Sequence, residues 1–366
     1  MALNIGIVGL PNVGKSTLFN ALTRAQNAKA ENFPFCTIEP NTAVVPVPDA
    51  RLKVLADMVH PQATIPATVE FVDIAGLVKG ASRGEGLGNK FLANVRDANA
   101  IRHVVRCFEN PDIVHVEGSI DPVRDVDVIE TELLLADLEV VEARAARLAK
   151  VAKADPKQRP ELEVVEELKA HLEAGNPVRS FPRHDDDALA AALREGRFLT
   201  DKKIIYVANV DESGIAADNA FAAALRARAE SSGCECVRIC ASVEQDMAGL
   251  SDEERAEFLS SYGISESGLD AIIHSGYKAL GLASFLTAGP KEVRAWTFRR
   301  GWKAPKCAGV IHSDFERGFI RAQVVSYEDF VAHGGEKRCR ELGLVREEGK
   351  EYEMRDGDMV EFLFNV

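Results

Sequence analysis

The residues that decide the fold are Gly9-Leu10-Pro11-Asn12-Val13-Gly14-Lys15-Ser16, close to the start of a chain of 366 residues. A short apolar run at 4–8 precedes this stretch, and Leu18-Phe19-Asn20-Ala21-Leu22, which has helical character, follows it. The spacing matches the phosphate-binding loop G-x-x-x-x-G-K-S/T, which lies between a strand and a helix. The stretch therefore predicts a site for a nucleoside triphosphate.

Each part of this loop has a chemical task. Glycines let successive backbone N–H groups turn toward the phosphates, and the N-terminus of the helix adds its positive end. We expect Lys15 to reach the β- and γ-phosphates as a catalytic cation, and Ser16 to ligate Mg²⁺. The residues expected to contact the nucleotide here are Asn12, Val13, Gly14, Lys15, Ser16 and Thr17.

A second acidic landmark is Val69-Glu70-Phe71-Val72-Asp73-Ile74-Ala75-Gly76, an apolar strand that delivers a carboxylate and then a glycine. We expect Asp73 to hold Mg²⁺ through water, and Gly76 to offer its N–H to the γ-phosphate. Thr37 lies between the two elements, where a switch threonine completes the coordination of the metal. The sequence thus predicts a magnesium site with Ser16, Thr37 and Asp73 as ligands.

Further short strands are expected along the chain, separated mostly by helical segments. They lie at 67–74, 103–108, 203–209 and 236–240. This alternation predicts a parallel, doubly wound α/β sheet. We assign this nucleotide-binding domain to residues 1–128 and 200–280.

A helical segment at 129–199 interrupts the alternation. Apolar residues recur there at spacings of four and three, at Leu134, Leu138, Val141, Ala145, Leu148 and Ala152, and a helical pattern resumes after Pro160. The pattern predicts a coiled-coil hairpin inserted into the nucleotide domain. Basic residues gather at its tip, with Asp155 as the acid among them: Arg144, Arg147, Lys150, Lys153, Lys157 and Arg159. They form either a solvated helix face or an RNA contact.

From Gly281 the composition shifts to short β-like runs, which predicts a separate α+β module over 281–366. Its first segment interleaves basic and aromatic residues: Lys291, Arg294, Trp296, Phe298, Arg299, Arg300, Trp302, Lys303 and Lys306. Exposed aromatic rings stack on unpaired bases, whereas alternating strand residues usually send their aromatic rings into the core. Both interpretations stay open at the level of the sequence.

Composition limits the classes of function. A formal net charge of −13 argues against a protein that coats nucleic acid by bulk attraction, and we expect no DNA partner. Seven cysteines, an odd number, fit a reducing compartment. The N-terminus has no basic segment typical of a signal peptide, and no run of about 18 apolar residues occurs. We expect a cytoplasmic monomer with no membrane partner.

These motifs closely resemble those of the YchF, or Obg-like ATPase, family of P-loop proteins, and the resemblance covers nearly the whole chain. The matching stretches are 9–17, 32–41, 73–81 and 362–366. The resemblance implies an Obg-type P-loop domain, an inserted helical arm and a C-terminal TGS domain of β-grasp form. It also implies association with the ribosome, as the 50S subunit or the 70S particle, through ribosomal RNA and proteins.

Base choice departs from ordinary GTPases, which read guanine with Asn-Lys-x-Asp. The matching residues here are Asn209-Val210-Asp211-Glu212. Val210 lacks the lysine stem that packs along the base, and Glu212 carries its carboxylate one methylene further. Because a site built on hydrogen bonds loses heavily when those bonds fail, we expect ATP, bound by Asn209, Val210 and Glu212. GTP remains the alternative, if Asp211 takes over the guanine contact.

A second departure concerns hydrolysis. Leu77 follows Gly76 where many GTPases place the glutamine that orients the attacking water. We therefore expect slow intrinsic turnover, and we take His115 as the residue that positions water. His103 opens a strand and is expected to be packed or to cap. The structural alternative for His115 stays open.

Asn12 offers a different supplement to catalysis. In several potassium-activated relatives an asparagine at this loop position helps hold a monovalent cation beside the phosphates, which predicts K⁺ stimulation. Alternatively, Asn12 only tolerates the turn. Three functions remain open: an ATP-hydrolysing switch on the ribosome that regulates translation or a stress response, a GTPase of the same fold, and a nucleotide-gated binding module with incidental hydrolysis.

Overall fold

The computed structural model describes residues 3–28, 41–74, 87–247 and 249–365, and these divide into two compact units. The strands are β1 Asn4–Val8, β2 Thr42–Pro46, β3 Ala63–Ile65, β4 Thr68–Asp73, β5 Ala100–Arg106, β6 Lys203–Asn209, β7 Glu235–Ile239, β8 Leu282–Ala288, β9 Glu292–Arg299, β10 Phe319–Ser326, β11 Arg346–Glu348 and β12 Asp358–Phe364. The α-helices are α1 Lys15–Ala28, α2 Ala50–Val59, α3 Leu87–Asp97, α4 Pro122–Val151, α5 Arg159–Glu173, α6 Ala190–Gly196, α7 Ala220–Ser231, α8 Ala241–Met247, α9 Asp252–Ser261, α10 Gly268–Ala279, α11 Ala304–Ile311, α12 Ser313–Arg317, α13 Tyr327–Ala332 and α14 Glu336–Glu341.

The first unit is built on a sheet with the strand order β2-β4-β1-β5-β6-β7. The pairs β1–β5, β5–β6 and β6–β7 are parallel, as the alternation of strands and helices predicts. Every residue of β5 is buried, as expected for a strand covered on both faces. After β1 the chain forms β2 and β4, which lie on one side of β1 in the strand order, and then β5, which lies on its other side. The loop after β1 therefore lies at a topological switch point, where open α/β sheets bind their ligands.

The inserted arm consists mainly of α4 and α5, which pack along each other, and α6. Asp121 caps the start of α4 by accepting a hydrogen bond from the Arg124 N–H, and Pro122 suits the first turn. The predicted seam is confirmed except at Ala152, which is buried but lies outside the cluster that the other residues join. That cluster contains Leu134, Leu138, Val141, Ala145, Leu148, Leu162, Val165, Leu168 and Leu172. At the tip, however, Arg144 is not a free cation. Its guanidinium forms ion pairs with Glu161 and Glu195, whose carboxylates come from later in the chain than the basic residues of the tip.

The second unit contains a mixed sheet with the order β11-β10-β12-β8-β9-β3. Its core packs α11 against the sheet around Phe285, Phe298 and Phe362. The edge strand β3 comes from early in the chain and pairs in parallel with β9, from Ala63 opposite Glu292 to Ile65 opposite Arg294. Helix α2, strand β3 and residues 270–280 thus belong to this unit, whereas composition assigned them to the nucleotide-binding domain at 1–128 and 200–280. Pairing between distant segments is not visible in local composition.

The basic and aromatic segment of this unit resolves into packed residues. Phe298 is 1% exposed, so stacking on a base is wrong for this ring, and the core interpretation is confirmed. Arg294 lies 3.8 Å over the ring of Trp296, and Lys306 lies 4.3 Å over that of Trp302. Arg300 pairs with Asp356, and Lys303 pairs with Glu351, so acids from later in the chain neutralise part of this segment.

Across the part of the chain that the structure describes, no helix is both long enough and apolar enough to cross a membrane.

Candidate nucleotide site

The loop after β1 adopts the conformation that phosphate binding requires. Asn12 has φ 62° and Gly14 has φ 98°, so the chain turns sharply and its N–H groups face inward at the start of α1. Lys15 folds back along its own loop, where its Nζ donates to the carbonyl oxygens of Gly9 at 2.9 Å and Leu10 at 2.7 Å. The ammonium group is thereby held at the loop before any nucleotide is bound.

Gly14 and Asn209 fit into each other. A Cβ atom on Gly14 would lie 2.1 Å from the Asn209 Nδ2 atom, so only glycine leaves room for this amide. Asn209 Nδ2 donates to the Val13 carbonyl at 2.9 Å, and its Oδ1 accepts from the Ala241 N–H at 3.1 Å. Asn209 therefore ties the phosphate loop to the ends of β6 and β7. These two hydrogen bonds of Asn209 stabilise the position of the loop.

Two opposite charges interact beside the loop, those of the buried Lys15 and the half-buried Asp73. Burial lowers the pKa of Lys15 to about 8, although the negative charge of Asp73 acts in the opposite direction. Burial also raises the pKa of Asp73, while Lys15 lowers it. Within the described residues, Asp73 Oδ1 is buried and has no hydrogen-bond partner. A buried carboxylate oxygen without a partner fits Mg²⁺, which prefers oxygen ligands and relieves the cost of desolvation.

Other residues predicted to contact the nucleotide or the metal lie in or near the first turn of α1 and in the switch segments. Thr37 and Gly76, the switch residues, lie outside the described residues, as does Leu77. Ser16 is exposed at the first turn of α1 and lines the cavity described next, together with Thr17.

A cavity of about 550 Å³ joins the phosphate loop to the carboxyl ends of β5, β6 and β7. Its lining residues are Asn12, Gly14, Lys15, Ser16, Thr17, Phe108, Glu109, Asn110, Ile113, Asn209, Val210, Asp211, Glu212, Ala241 and Ser242. Sequence reasoning placed the loop and 209–212 here, but missed Phe108–Asn110, Ile113 and the pair 241–242. The feature that could have identified these residues is their position in the chain, because each follows a parallel strand adjacent to the site.

The far end of the cavity holds the residues expected to read the base. The Asp211 carboxylate caps a short 3₁₀ turn: its Oδ1 accepts from the Gly214 N–H at 3.1 Å and from the Ser213 hydroxyl at 2.7 Å. The Val210 side chain is buried against Gly214. Glu212 projects from the turn, and one of its oxygens, Oε1, accepts a hydrogen bond from the Tyr262 phenol. No motif in the sequence points to Tyr262.

Arg106, at the end of β5, organises the wall formed by 108–113. Its guanidinium donates to three backbone carbonyl oxygens, those of Phe108 at 3.1 Å, Asn110 at 3.1 Å and Ile113 at 3.0 Å. It also lies 4.7 Å from the centre of the Phe108 ring. Burial lowers the pKa of Arg106, and Asp125 opposes that change. The residue therefore shapes the cavity wall from behind.

His115 lies next to this wall but does not line the cavity. Its Nε2 donates to Asp125 at 2.8 Å and its Nδ1 accepts from the Glu117 N–H at 3.2 Å, so both ring nitrogens have partners. The preceding residue contacts the phosphate-binding loop, because the Val114 carbonyl accepts from Asn12 Nδ2 at 3.1 Å. His103 is buried in β5, where burial and the charge of Lys15 lower its pKa to about 3; its expected packed position is confirmed.

Comparison with known proteins gives consistent matches over the chain. A family model described as a 50S ribosome-binding GTPase matches residues 4–140, and the YchF-GTPase C-terminal model matches residues 282–365. Proteins named ribosome-binding ATPase YchF from Escherichia coli O157:H7 and Bacillus subtilis (strain 168) are 53% and 51% identical, over 100% of both chains in each case. The solved structure of the Schizosaccharomyces pombe YchF GTPase has a TM-score of 0.89 at 37% identity, covering 99% of this chain and 97% of that one.

Proposed function

Because the chain belongs to the YchF family, whose named relatives include both an ATPase and a GTPase, we propose that it is a Mg²⁺-dependent ATPase that works as a ribosome-associated switch in the cytoplasm. The observation that carries this choice of nucleotide is the arrangement of 211 and 212. Guanine offers two adjacent donors, N1–H and the 2-amino group, to a carboxylate. Each carboxylate at this end of the cavity already accepts hydrogen bonds within the protein, Asp211 from Gly214 and Ser213 and Glu212 from Tyr262.

Asp211 is the residue on which a GTPase function depends. Its carboxylate already accepts hydrogen bonds from Gly214 and Ser213 as the cap of the 3₁₀ turn. To turn both of its oxygens toward guanine it would have to give up the cap, which would leave the Gly214 N–H without this acceptor. Adenine makes no such demand, since its recognition needs a single carboxylate contact at most. The GTPase description of relatives keeps GTP as the second candidate.

Mg²⁺ would be held by Ser16 and Asp73 together with the phosphates, with Thr37 as a further ligand. When bound, the ion neutralises charge that develops on the transferred phosphoryl group. Lys15 contributes a second fixed positive charge. Asp73 raises the pKa of Lys15, and Lys15 lowers the pKa of Asp73, so each group favours the charged form of the other.

Water positioning is assigned to His115, whose imidazole has to leave Asp125 to act. The hydrogen bond between Val114 and Asn12 links its segment to the phosphate loop, which supports movement of the segment when phosphates arrive. We expect His115→Ala to lower turnover at least tenfold with ATP affinity unchanged, since general acid–base or positioning groups typically contribute that much or more. Asp125→Asn is the companion variant: it loosens the resting contact without removing the imidazole. Unchanged turnover in His115→Ala would exclude the role.

K⁺ stimulation is assigned to Asn12. Its Nδ2 is engaged by Val114, whereas its Oδ1 accepts no hydrogen bond in the described residues and is therefore open to a cation. Turnover should be higher in potassium than in sodium chloride at equal ionic strength, and Asn12→Ala should abolish the difference. Equal rates of the wild-type protein in both salts would rule out the cation.

Ribosome contact is assigned mainly to the arm tip. Among the described residues, Lys150, Lys153 and Lys157 have no ion-pair partner, in contrast to Arg144, Arg300 and Lys303. Reversing those three lysines to glutamate should weaken co-sedimentation with ribosomes more than Arg300→Glu and Lys303→Glu together. Equal losses would place the contact elsewhere.

The decisive experiment is equilibrium binding of non-hydrolysable ATP and GTP analogues to the purified protein with Mg²⁺. Tighter ATP binding supports the proposal, and tighter GTP binding overturns it in favour of the GTPase. Tight ATP binding with no turnover, even with ribosomes present, would leave the nucleotide-gated binding module.

A further inference from the structure

The loop 109–120 is held in place by a polar contact rather than by apolar packing. His115 is its one buried residue, at 8% exposure, and the structure describes the loop in full. The two valines beside it are exposed, Val114 at 76% and Val116 at 47%. Valine is ordinarily among the residues most often buried, and histidine is intermediate. The position of the loop therefore depends on what His115 contacts.

The first turn of α4 holds this loop at two points. His115 Nε2 donates to Asp125 Oδ2 at 2.8 Å, and Arg124 donates to the hydroxyl of Ser119 at 2.9 Å and to its carbonyl at 2.6 Å. Arg124 also donates to the other oxygen of Asp125 at 2.9 Å. The Asp125 side chain is buried. Hydrogen bonds to a buried, ionised carboxylate are stronger than those between neutral groups in water.

The start of the cavity wall is held separately. Arg106 donates to three carbonyl oxygens of 108–113, so this part of the wall keeps its place if His115 moves. The carbonyl of Val114 accepts from Asn12 in the phosphate-binding loop. Consecutive Cα atoms lie about 3.8 Å apart, so an imidazole at the next position stays within reach of that loop after it leaves Asp125.

We infer that Asp125 is a positioning residue that restrains His115, and that it thereby sets the fraction of molecules whose imidazole can position the attacking water. The inference rests on the water-positioning role proposed for His115. Asp125 does not line the described nucleotide cavity and belongs to α4, the long helix of the inserted arm. The residue that limits hydrolysis thus lies on the arm.

The first test is turnover of the full chain at saturating ATP in Asp125→Asn. A neutral amide accepts a weaker hydrogen bond than a carboxylate, so we expect kcat to rise about fivefold to tenfold. KM for ATP should stay unchanged, because Asp125 is not a lining residue. Adding His115→Ala should cancel the rise. Asp127→Asn is the matched control: it changes an exposed carboxylate on the same helix, which pairs with Arg228 at 3.3 Å, and should leave kcat unchanged.

The second test is amide hydrogen exchange at Gly118 in the nucleotide-free protein, which does not depend on turnover. Its N–H donates to the His115 backbone carbonyl at 3.0 Å, a group that both variants retain. Exchange should be faster in Asp125→Asn and in His115→Ala, and no faster in the double variant than in His115→Ala. Because His115→Ala breaks the same contact from the other side, the exchange test does not depend on one variant.

Three outcomes would overturn the inference: unchanged exchange at Gly118 in Asp125→Asn, faster exchange along the whole of α4, or a kcat that is unchanged or lower while His115→Ala does reduce turnover. Failure of the proposed function is seen separately, as unchanged turnover in His115→Ala. In that case Asp125 sets no rate, and exchange at Gly118 alone decides whether it restrains the loop.

Discussion

The two ends of the nucleotide cavity are built in different ways. The phosphate end comes from one continuous stretch, 9–16, whose backbone turns through positive φ angles at Gly9, Asn12 and Gly14. The base end is assembled from residues that follow β5, β6 and β7, so its walls are side chains that distant segments supply. A local backbone motif thus builds the candidate phosphate site, while tertiary contacts build the candidate base site.

The largest expected effect lies at the phosphate end. Lys15→Ala should weaken binding of either triphosphate by about 100-fold or more, because it removes a charge-assisted contact common to ATP and GTP. It should not lower the free energy of unfolding, because the substitution also removes a positive charge whose burial costs free energy. Binding titrations and thermal melts measure the two quantities. Lys203→Ala, at an exposed strand end, is the control. If Lys15→Ala weakened the binding of one triphosphate much more than that of the other, the division of the cavity into a phosphate end and a base end would be wrong.

Gly14→Ala should damage both ends at once. The added Cβ would lie 2.1 Å from Asn209 Nδ2, in a backbone conformation with φ 98°. We expect a loss of about 2–4 kcal/mol in the free energy of unfolding, from strain and overpacking together. Gly175→Ala separates the two causes, because Gly175 has φ 85° but no described atom within 4 Å of the added Cβ; it should cost about 1 kcal/mol. If chemical denaturation showed the same loss in free energy of unfolding for Gly14→Ala and Gly175→Ala, the Asn209 side chain would have moved aside at no cost.

Arg106→Lys should act on the base end. Lysine keeps the charge but cannot serve the three carbonyl oxygens of 108–113 with one planar group. We expect affinity for ATP to fall about tenfold, with a loss of about 1–2 kcal/mol in the free energy of unfolding. Phosphate binding alone, measured with tripolyphosphate, should be preserved. If tripolyphosphate affinity fell equally, the two ends would not be separable.

The smallest effect is a dependence of binding on pH. Lys15 has a pKa of about 8 in the folded, nucleotide-free protein, against 10.5 ordinarily. Phosphates need the protonated form, so affinity should be constant below pH 8 and fall by up to about tenfold per pH unit above it. The unfolded chain holds more protons between 8 and 10.5, so the free energy of unfolding should rise over the same window. Titrations and denaturation at pH 7, 8 and 9 test both signs, and both trends should vanish in Lys15→Ala.

Much of the fold was predictable because it follows local patterns. The strands at 4–8 and 203–209 were placed as the structure has them, and the arm followed from its apolar spacing. Strand β3 was missed, because its three residues carry no periodic signal and are ordered by pairing with β9, far along the chain. The cation–π contacts and ion pairs of the basic segment were likewise invisible, since they depend on which faces the sheet leaves exposed.

In the candidate site the same division holds. The phosphate loop, Asp73 and the base-reading stretch could be named from sequence, since each is a short motif with a fixed chemical task. Phe108, Arg106 and Tyr262 could not, because their importance comes from the strand ends and helix that place them around the cavity.

By itself, then, the sequence determined the candidate phosphate loop and the chemistry expected of it, because backbone conformation at glycines and a helix N-terminus are set within a few residues. The tertiary structure decided how the candidate base site is built: Asn209 braced against Gly14, Asp211 committed to a turn and Glu212 hydrogen-bonded to Tyr262. Hydrogen bonds between side chains far apart in the chain exist only once the sheet has brought their strands together.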